Sequence, residues 1–253
     1  TNLHLDYEIG QLHLDRFSVP FLFAAVLGFI VFIIVLKRLK NTTRVSKFTT
    51  QKLTFGFTLN KYFMVLLLLS FIMQFVVTLF ETVFSIYGKD ELAFNSSQVG
   101  IGFMLCGLVM AVLQPIFASY GEIFLSTKKQ IAVGLLISGT ALIIFPFFNN
   151  ELVVYGLIVI FAAGGAMITP NLLSAVSLIS KENTGRNISI QSSTNSIGQI
   201  LGPVLGTWLV AGGFFYPFII AGSIVLGAIG ILVFLKPPNK NVEDLNHTLM
   251  MEN

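Results

Sequence analysis

Seven apolar stretches set the terms on which this chain can fold. They run at about residues 17 to 36, 62 to 87, 98 to 120, 130 to 148, 152 to 179, 188 to 211 and 217 to 235, and a helix that crosses a bilayer needs about 20 such residues. Composition agrees: 55% of the 253 residues are hydrophobic and only 11% are charged, against about 25% charged in a soluble domain. The expected fold class is an all-α membrane protein. The sixth run is polar at its start and is the weakest of the seven.

Several chemistries drop out at once. Cys106 is the only cysteine, and His4, His13 and His247 lie near the chain ends, so neither an internal disulfide nor a metal or nucleophile cluster is expected. No Gly-rich phosphate loop, His-Glu metal motif or Ser-His-Asp set is present, so the chain is read as neither an enzyme nor a nucleotide-driven pump, with no cofactor. The net charge of +3 comes from basic residues that flank apolar runs. That pattern belongs to membrane topology and not to a nucleic-acid surface.

Charge also orients the spans. With the N-terminus outside, one set of loops holds Lys37, Arg38, Lys40, Arg44, Lys47, Lys52, Lys61, Lys128, Lys129, Lys181, Arg186, Lys236 and Lys240, and the other holds only Arg16 and Lys89. Cytoplasmic loops carry the excess of Lys and Arg. The expectation is therefore a multi-pass protein of a bacterial plasma membrane, with its N-terminus outside, its C-terminus in the cytoplasm and an acid-free basic connector over 37–61. Asp6, Glu8 and Asp15 precede the first run where a cleavable signal would carry basic residues. The chain begins with Thr1 and reads as part of a longer protein.

Seven spans with an external N-terminus is also the layout of receptors and retinal proteins. A retinal protein needs a lysine inside its last span, and residues 217 to 235 contain none. The third span ends Ser119, Tyr120, Gly121, Glu122 and not in a receptor's acid, arginine and aromatic triplet. An internal comparison does better: an offset of 197 aligns Phe17 with Phe214, Pro20 with Pro217, Phe21 with Phe218, Ala24 with Ala221 and Ile34 with Ile231. The shared Pro-Phe-x-x-Ala at each span start makes the chain one helix followed by a six-helix repeat. Parallel six-helix repeats are the organisation of major facilitator transporters.

Specific residues carry a resemblance to that superfamily. Phe80-Glu81-Thr82-Val83-Phe84-Ser85-Ile86-Tyr87 resembles the seventh helix of NorA-like multidrug efflux pumps, and Gly198-x-x-x-Gly202-Pro203-x-x-Gly206 resembles the glycine-proline signature of drug/proton antiporters. Gln114-Pro115, Ala118, Glu122 and Lys128-Lys129 are similar to the superfamily's cytoplasmic loop between helices eight and nine, with Ala118, Glu122 and Leu125 standing where its fuller form has Gly, Asp and Gly. The resemblance implies helices six to twelve of a proton-coupled drug antiporter. Residues 1–36 would be an external loop and the last helix of the N-terminal repeat, 37–61 the connector, 62–236 the C-terminal six-helix repeat and 237–253 a cytoplasmic tail. The implied partners are a small-molecule substrate, protons, the lipid bilayer and the remaining N-terminal half.

Glu81 is the one ionisable side chain well inside a span, and such an acid is by default a functional residue. Ser70, Gln74, Thr78, Glu81 and Ser85 draw one polar stripe along that helix, which must face protein or water because lipid would leave it unpaired. Gln191, Asn195 and Gln199 form a second stripe at i+4 steps, beside a line of small residues, Thr194, Gly198, Gly202 and Gly206, suited to close helix approach. Pro203 and Pro170 each remove a backbone bond, so hinges or kinks are expected there. Glu81 is expected to couple protons, and Gln74, Thr78, Asn171, Gln191, Asn195 and Gln199 to line the substrate pocket with it. Glu122, Lys128, Lys129 and Arg186 belong to the cytoplasmic loops. The expected function is alternating-access efflux of hydrophobic, cationic compounds. Its alternatives are a nutrient symporter of the same superfamily and a seven-span receptor without transport.

Overall fold

In hydrocarbon a backbone N–H or C=O finds no water, so each apolar run closes its own hydrogen bonds as a helix. The computed structural model describes residues 7–9, 12–14, 18–38, 61–179 and 184–233. Seven long helices appear at the seven expected places: α1 Ser18–Arg38, α2 Lys61–Asp90, α3 Ser96–Phe124, α4 Thr127–Ile144, α5 Glu151–Ser177, α6 Thr184–Val210 and α7 Phe215–Val233. Six of them are long and apolar enough to cross a membrane; the exception is α6, the run with the polar start. Asn95 caps α3 in a reciprocal capping box with Gln98, and Asn150 accepts from the backbone N–H groups of Leu152 and Val153 at the start of α5. These caps place two of the helix starts.

The chain forms two units, Thr1–Phe57 and Thr58–Asn253. In the first, the stretch expected to be plain loop contains a short antiparallel hairpin, β1 Tyr7–Ile9 with β2 Leu12–Leu14, in which Glu8 pairs with His13. Apolar and polar residues alternate there, the pattern of a half-buried strand. Helix α1 belongs to the same unit. Most of the connector 37–61 and all of the tail 237–253 lie outside the described residues.

In the second unit α2 is the hub, touching α3, α5, α6 and α7, while α4 packs on α5 and α7. Exchanging α2 with α5, α3 with α6 and α4 with α7 maps the main contacts onto one another: α2–α6 becomes α5–α3, and α4–α5 becomes α7–α2. Two three-helix units thus face each other, the nested repeat of many transporters. Proline respects the exchange, since Pro115 is the twentieth residue of α3 counted from Ser96, and Pro203 the twentieth of α6 counted from Thr184. Both helices continue past their prolines, so neither breaks.

Glycine sets how closely the helices approach. A Cβ on Gly198 would lie 2.9 Å from Phe75 N and 3.0 Å from Phe71 O; one on Gly202 would overlap Thr78 Oγ1 and lie 2.6 Å from Phe75 O. The backbones of α2 and α6 therefore touch. Gly134 with Gly164 joins α4 to α5, and Gly139 with Gly222 joins α4 to α7, in the same way. Around these seams Phe80, Phe84, Phe145, Phe161 and Phe218 form one buried aromatic cluster, with Phe80 and Phe161 centroids 4.7 Å apart.

Gly202→Ala is expected to destabilise the bundle by about 1 to 3 kcal/mol through overpacking against backbone that cannot give way. Gly227→Ala, with nothing within 4 Å of the added methyl, should leave stability unchanged or slightly raised. Thermal unfolding of the two variants in detergent compares them directly.

Candidate functional site

Helices α2 and α6 run side by side in the same direction, but obliquely. Going up the pair, α6 meets α2 first at Ser70, then at Phe71, Gln74 and Phe75, then at Thr78 and finally at Leu79 and Val83. At about 100° per residue, these contacts walk around α2. The polar stripe on α2 is consequently covered at one end and open at the other. Ser70 is buried, Gln74 and Thr78 are half-buried, and Glu81 and Ser85 are exposed.

Glu81 stands on the open part. Its carboxylate makes no hydrogen bond or ion pair with any other described residue, and its backbone carbonyl accepts from Ser85 Oγ at 3.1 Å. Nine residues of helix separate Glu81 from Asp90 at the end of α2, a rise of about 14 Å. Thr78 Oγ1 lies 3.0 Å from Gln74 O and 3.4 Å from Gly198 O, so its hydrogen is spent within the seam.

The other expected pocket residues divide. Gln199 is exposed and Asn195 half-buried on α6. Gln191 is only 5% exposed and donates from Nε2 to Ser70 Oγ at 2.9 Å. Asn171, also 5% exposed, donates from Nδ2 to Met167 O at 2.6 Å and to Gln130 Oε1 at 3.0 Å. Both amides are therefore held in helix contacts. Gly198, Gly202 and Gly206 are buried packing residues, while Pro170 and Pro203 are half-buried within continuous helices.

Gln130 carries no sequence signal, being one amide at a helix start, yet it joins three helices. It is 1% exposed, its Nε2 donates to Leu125 O at 2.8 Å, its Oε1 accepts from Asn171, and a Cβ on Gly121 would collide with its amide. The end of α3, the start of α4 and the last third of α5 are tied together there. This neutral tie sits in the loop whose family counterpart carries a charged motif. Lys128, Lys129 and Arg186 are exposed at the same end of the bundle as Lys61, whereas Asp90, Glu91 and Glu151 gather with Lys89 at the other end. Glu122 lies in the last turn of α3, and its side chain is outside the described set. Among the described residues no three His, Cys, Asp or Glu side chains gather into a metal site.

Long apolar helices, glycine seams and an isolated acid on an exposed face define a multi-pass membrane protein of the transporter kind. Residues 66–248 match the Major Facilitator Superfamily, and the chain belongs to that family. It is 27% identical over 239 residues to the quinolone resistance protein NorA of Staphylococcus aureus, covering 90% of this chain and 60% of that protein. It is 25% identical over 209 residues to the class E tetracycline resistance protein of Escherichia coli, covering 79% of this chain and 51% of the relative. A solved structure of a bacterial homologue of the human drug peptide transporters PepT1 and PepT2 superposes with a TM-score of 0.62 at 16% identity, covering 74% of this chain and 47% of that one. The chain thus spans between half and three fifths of the length of these first two relatives.

Gln130→Leu is expected to cost about 1 to 3 kcal/mol, because Leu125 O loses its buried partner. Asn171→Leu should cost a similar amount, and the double variant less than the sum, since the two amides share a bond. Thermal unfolding of the three variants reads that coupling.

Proposed function

We propose that the chain is the C-terminal portion, helices six to twelve, of a proton-coupled efflux transporter that exports hydrophobic, cationic small molecules across a bacterial plasma membrane. The observation that carries this reading is Glu81: an acid deep in α2, exposed on the bundle and without a cation among the described residues. Lipid does not tolerate such a group, so a water-filled cavity or another protein body covers it. The exposed amide of Gln199 on α6 makes the same demand. A second six-helix body rocking against this one meets both. The relatives named for resistance to quinolones and tetracycline support drugs as the cargo.

The mechanism follows from competition for one carboxylate. Open to the outside, Glu81 takes a proton; open to the cytoplasm, it releases the proton and a cationic compound takes its place. Gln74, Asn195 and Gln199 then supply polar contacts around a largely apolar pocket. Each ligand shifts the inward and outward populations by its difference in affinity for them. The concentration of Lys61, Lys128, Lys129 and Arg186 at one end of the bundle supports placing that end in the cytoplasm.

Glu81→Gln in the full-length protein is expected to abolish substrate-driven proton movement and to lower drug efflux by at least about tenfold, equivalent to about 1.4 kcal/mol in the transport barrier. Efflux and its pH dependence are measured in everted vesicles. Unchanged efflux with unchanged pH dependence rejects the coupling role, and proton-driven uptake of a polar solute without drug export assigns the chain to the symporters instead.

A further inference from the structure

Below the glycine seam, the contact between α2 and α6 changes character. Asn187, Gln191 and Asn195 succeed one another at i+4 steps along α6, and each has an amide atom enclosed by the bundle with no hydrogen-bond partner among the described residues: Asn187 Nδ2, Gln191 Oε1 and Asn195 Oδ1. Asn187 and Gln191 are each 5% exposed. Nearby, Ser70 Oγ accepts from Gln191 Nε2 and keeps its own hydrogen to give. Unpartnered amides stacked on three successive turns are unusual in a native core, where buried polar groups are paired with protein or with ordered water.

We propose that this part of the seam binds a short chain of water molecules on Asn187, Gln191, Asn195 and Ser70, and that protons pass along it between Glu81 and the cytoplasmic face. The second half rests on the reading of Glu81 as the proton carrier. Spacing favours water. Four residues of helix rise about 6 Å, and a water bonded to two groups at about 2.8 to 3 Å from each spans that gap. Water also meets the mixed demand of one donor and two acceptors, which a bare cation does not, because the Asn187 N–H would point at it. Buried waters make about three bonds each, and the amides with Ser70 provide them. Higher up, the half-buried Gln74 and Thr78 continue the polar line toward Glu81.

Along such a chain nothing covalent changes overall. A hydrated proton gives one proton to the next water as that water releases another, so one proton enters at Glu81's end and one leaves at the other. The amides hold the waters in line and do not themselves ionise.

The test uses the unmodified full-length protein in lipid vesicles, with nitrogen-15 in Asn and Gln side chains and magnetisation transferred from water in solid-state NMR. Asn171, buried to the same 5% but with its Nδ2 donating to two protein acceptors, is the dry reference. Side-chain signals of Asn187, Gln191 and Asn195 are expected to build up several-fold faster than that of Asn171; equal, slow build-up overturns the water site. The route is tested by Asn187→Leu in proteoliposomes, which should slow substrate-driven proton release by about tenfold while substrate affinity changes less than about twofold. Fast water transfer with unaltered proton release keeps the site and overturns the route. If Glu81→Gln leaves coupling intact, the proton-carrier reading fails instead, and the spectroscopic result still decides the water site.

Discussion

The backbone contact between α2 and α6 governs most of what is distinctive in this bundle. Gly198 and Gly202 bring α6 onto the main chain of Phe71, Phe75 and Leu79, and the oblique crossing then decides which α2 side chains are covered. A helix pair held apart by leucines would bury Glu81 and Ser70 alike or expose both. Close approach at an angle buries Ser70 against Gln191 and leaves Glu81 open, although the two lie on nearly the same face of the helix. Packing and the exposure of Glu81 thus follow from the same two glycines.

The pseudo-symmetric partner of that seam, between α3 and α5, is built differently. A Cβ on Gly102 would lie 2.8 Å from the Phe84 ring of α2 and 3.2 Å from Ile158 of α5, so side chains line this interface, while Gly100, Gly107 and Gly156 have nothing within 4 Å of an added methyl. One side of the repeat is a tight backbone contact and the other is cushioned by bulky groups. A rigid α2–α6 pair beside a more adjustable α3–α5 pair gives the bundle an asymmetry that the repeat alone does not supply. The Gln130–Asn171 tie then anchors the adjustable side at its basic end, through Leu125 O and Met167 O.

Much of this was legible before any coordinates, because the bilayer imposes a length and a polarity that leave long marks in a sequence. All seven helices fall within a few residues of the apolar runs, even α6, whose polar first half fails a hydropathy test; its glycine and amide spacings at i+4 carried the helical period instead. Glu81 was legible for the same reason, as the charge left over once every loop was drawn. Legibility ended where a single residue acts through neighbours far away in the chain. Gln130 meets Asn171 across 41 positions, and no local pattern announces it. Asn171 was read as a pocket residue because Pro170 precedes it, yet its partners lie on its own helix and on α4. Asn187, one step below the stripe that begins at Gln191, was passed over because it lies at the edge of the apolar run.

The exposed polar groups that remain set a condition on any complete form of this protein. On α6 the serines at 189, 192, 193 and 196 and the amide of Gln199 face outward, as does Glu81 on α2; Ser189, Ser193 and Ser196 return their hydroxyls to carbonyls one turn back, within α6 itself. Self-satisfied hydroxyls tolerate either lipid or protein, so the serines alone do not decide what covers the face. Gln199 and Glu81 have no such retreat: an amide with four bonding sites and a carboxylate cannot close their demands on their own helix. On the proposed reading, those two residues would face an aqueous cavity between this bundle and a second body, along the face that α6 leaves uncovered as it crosses α2.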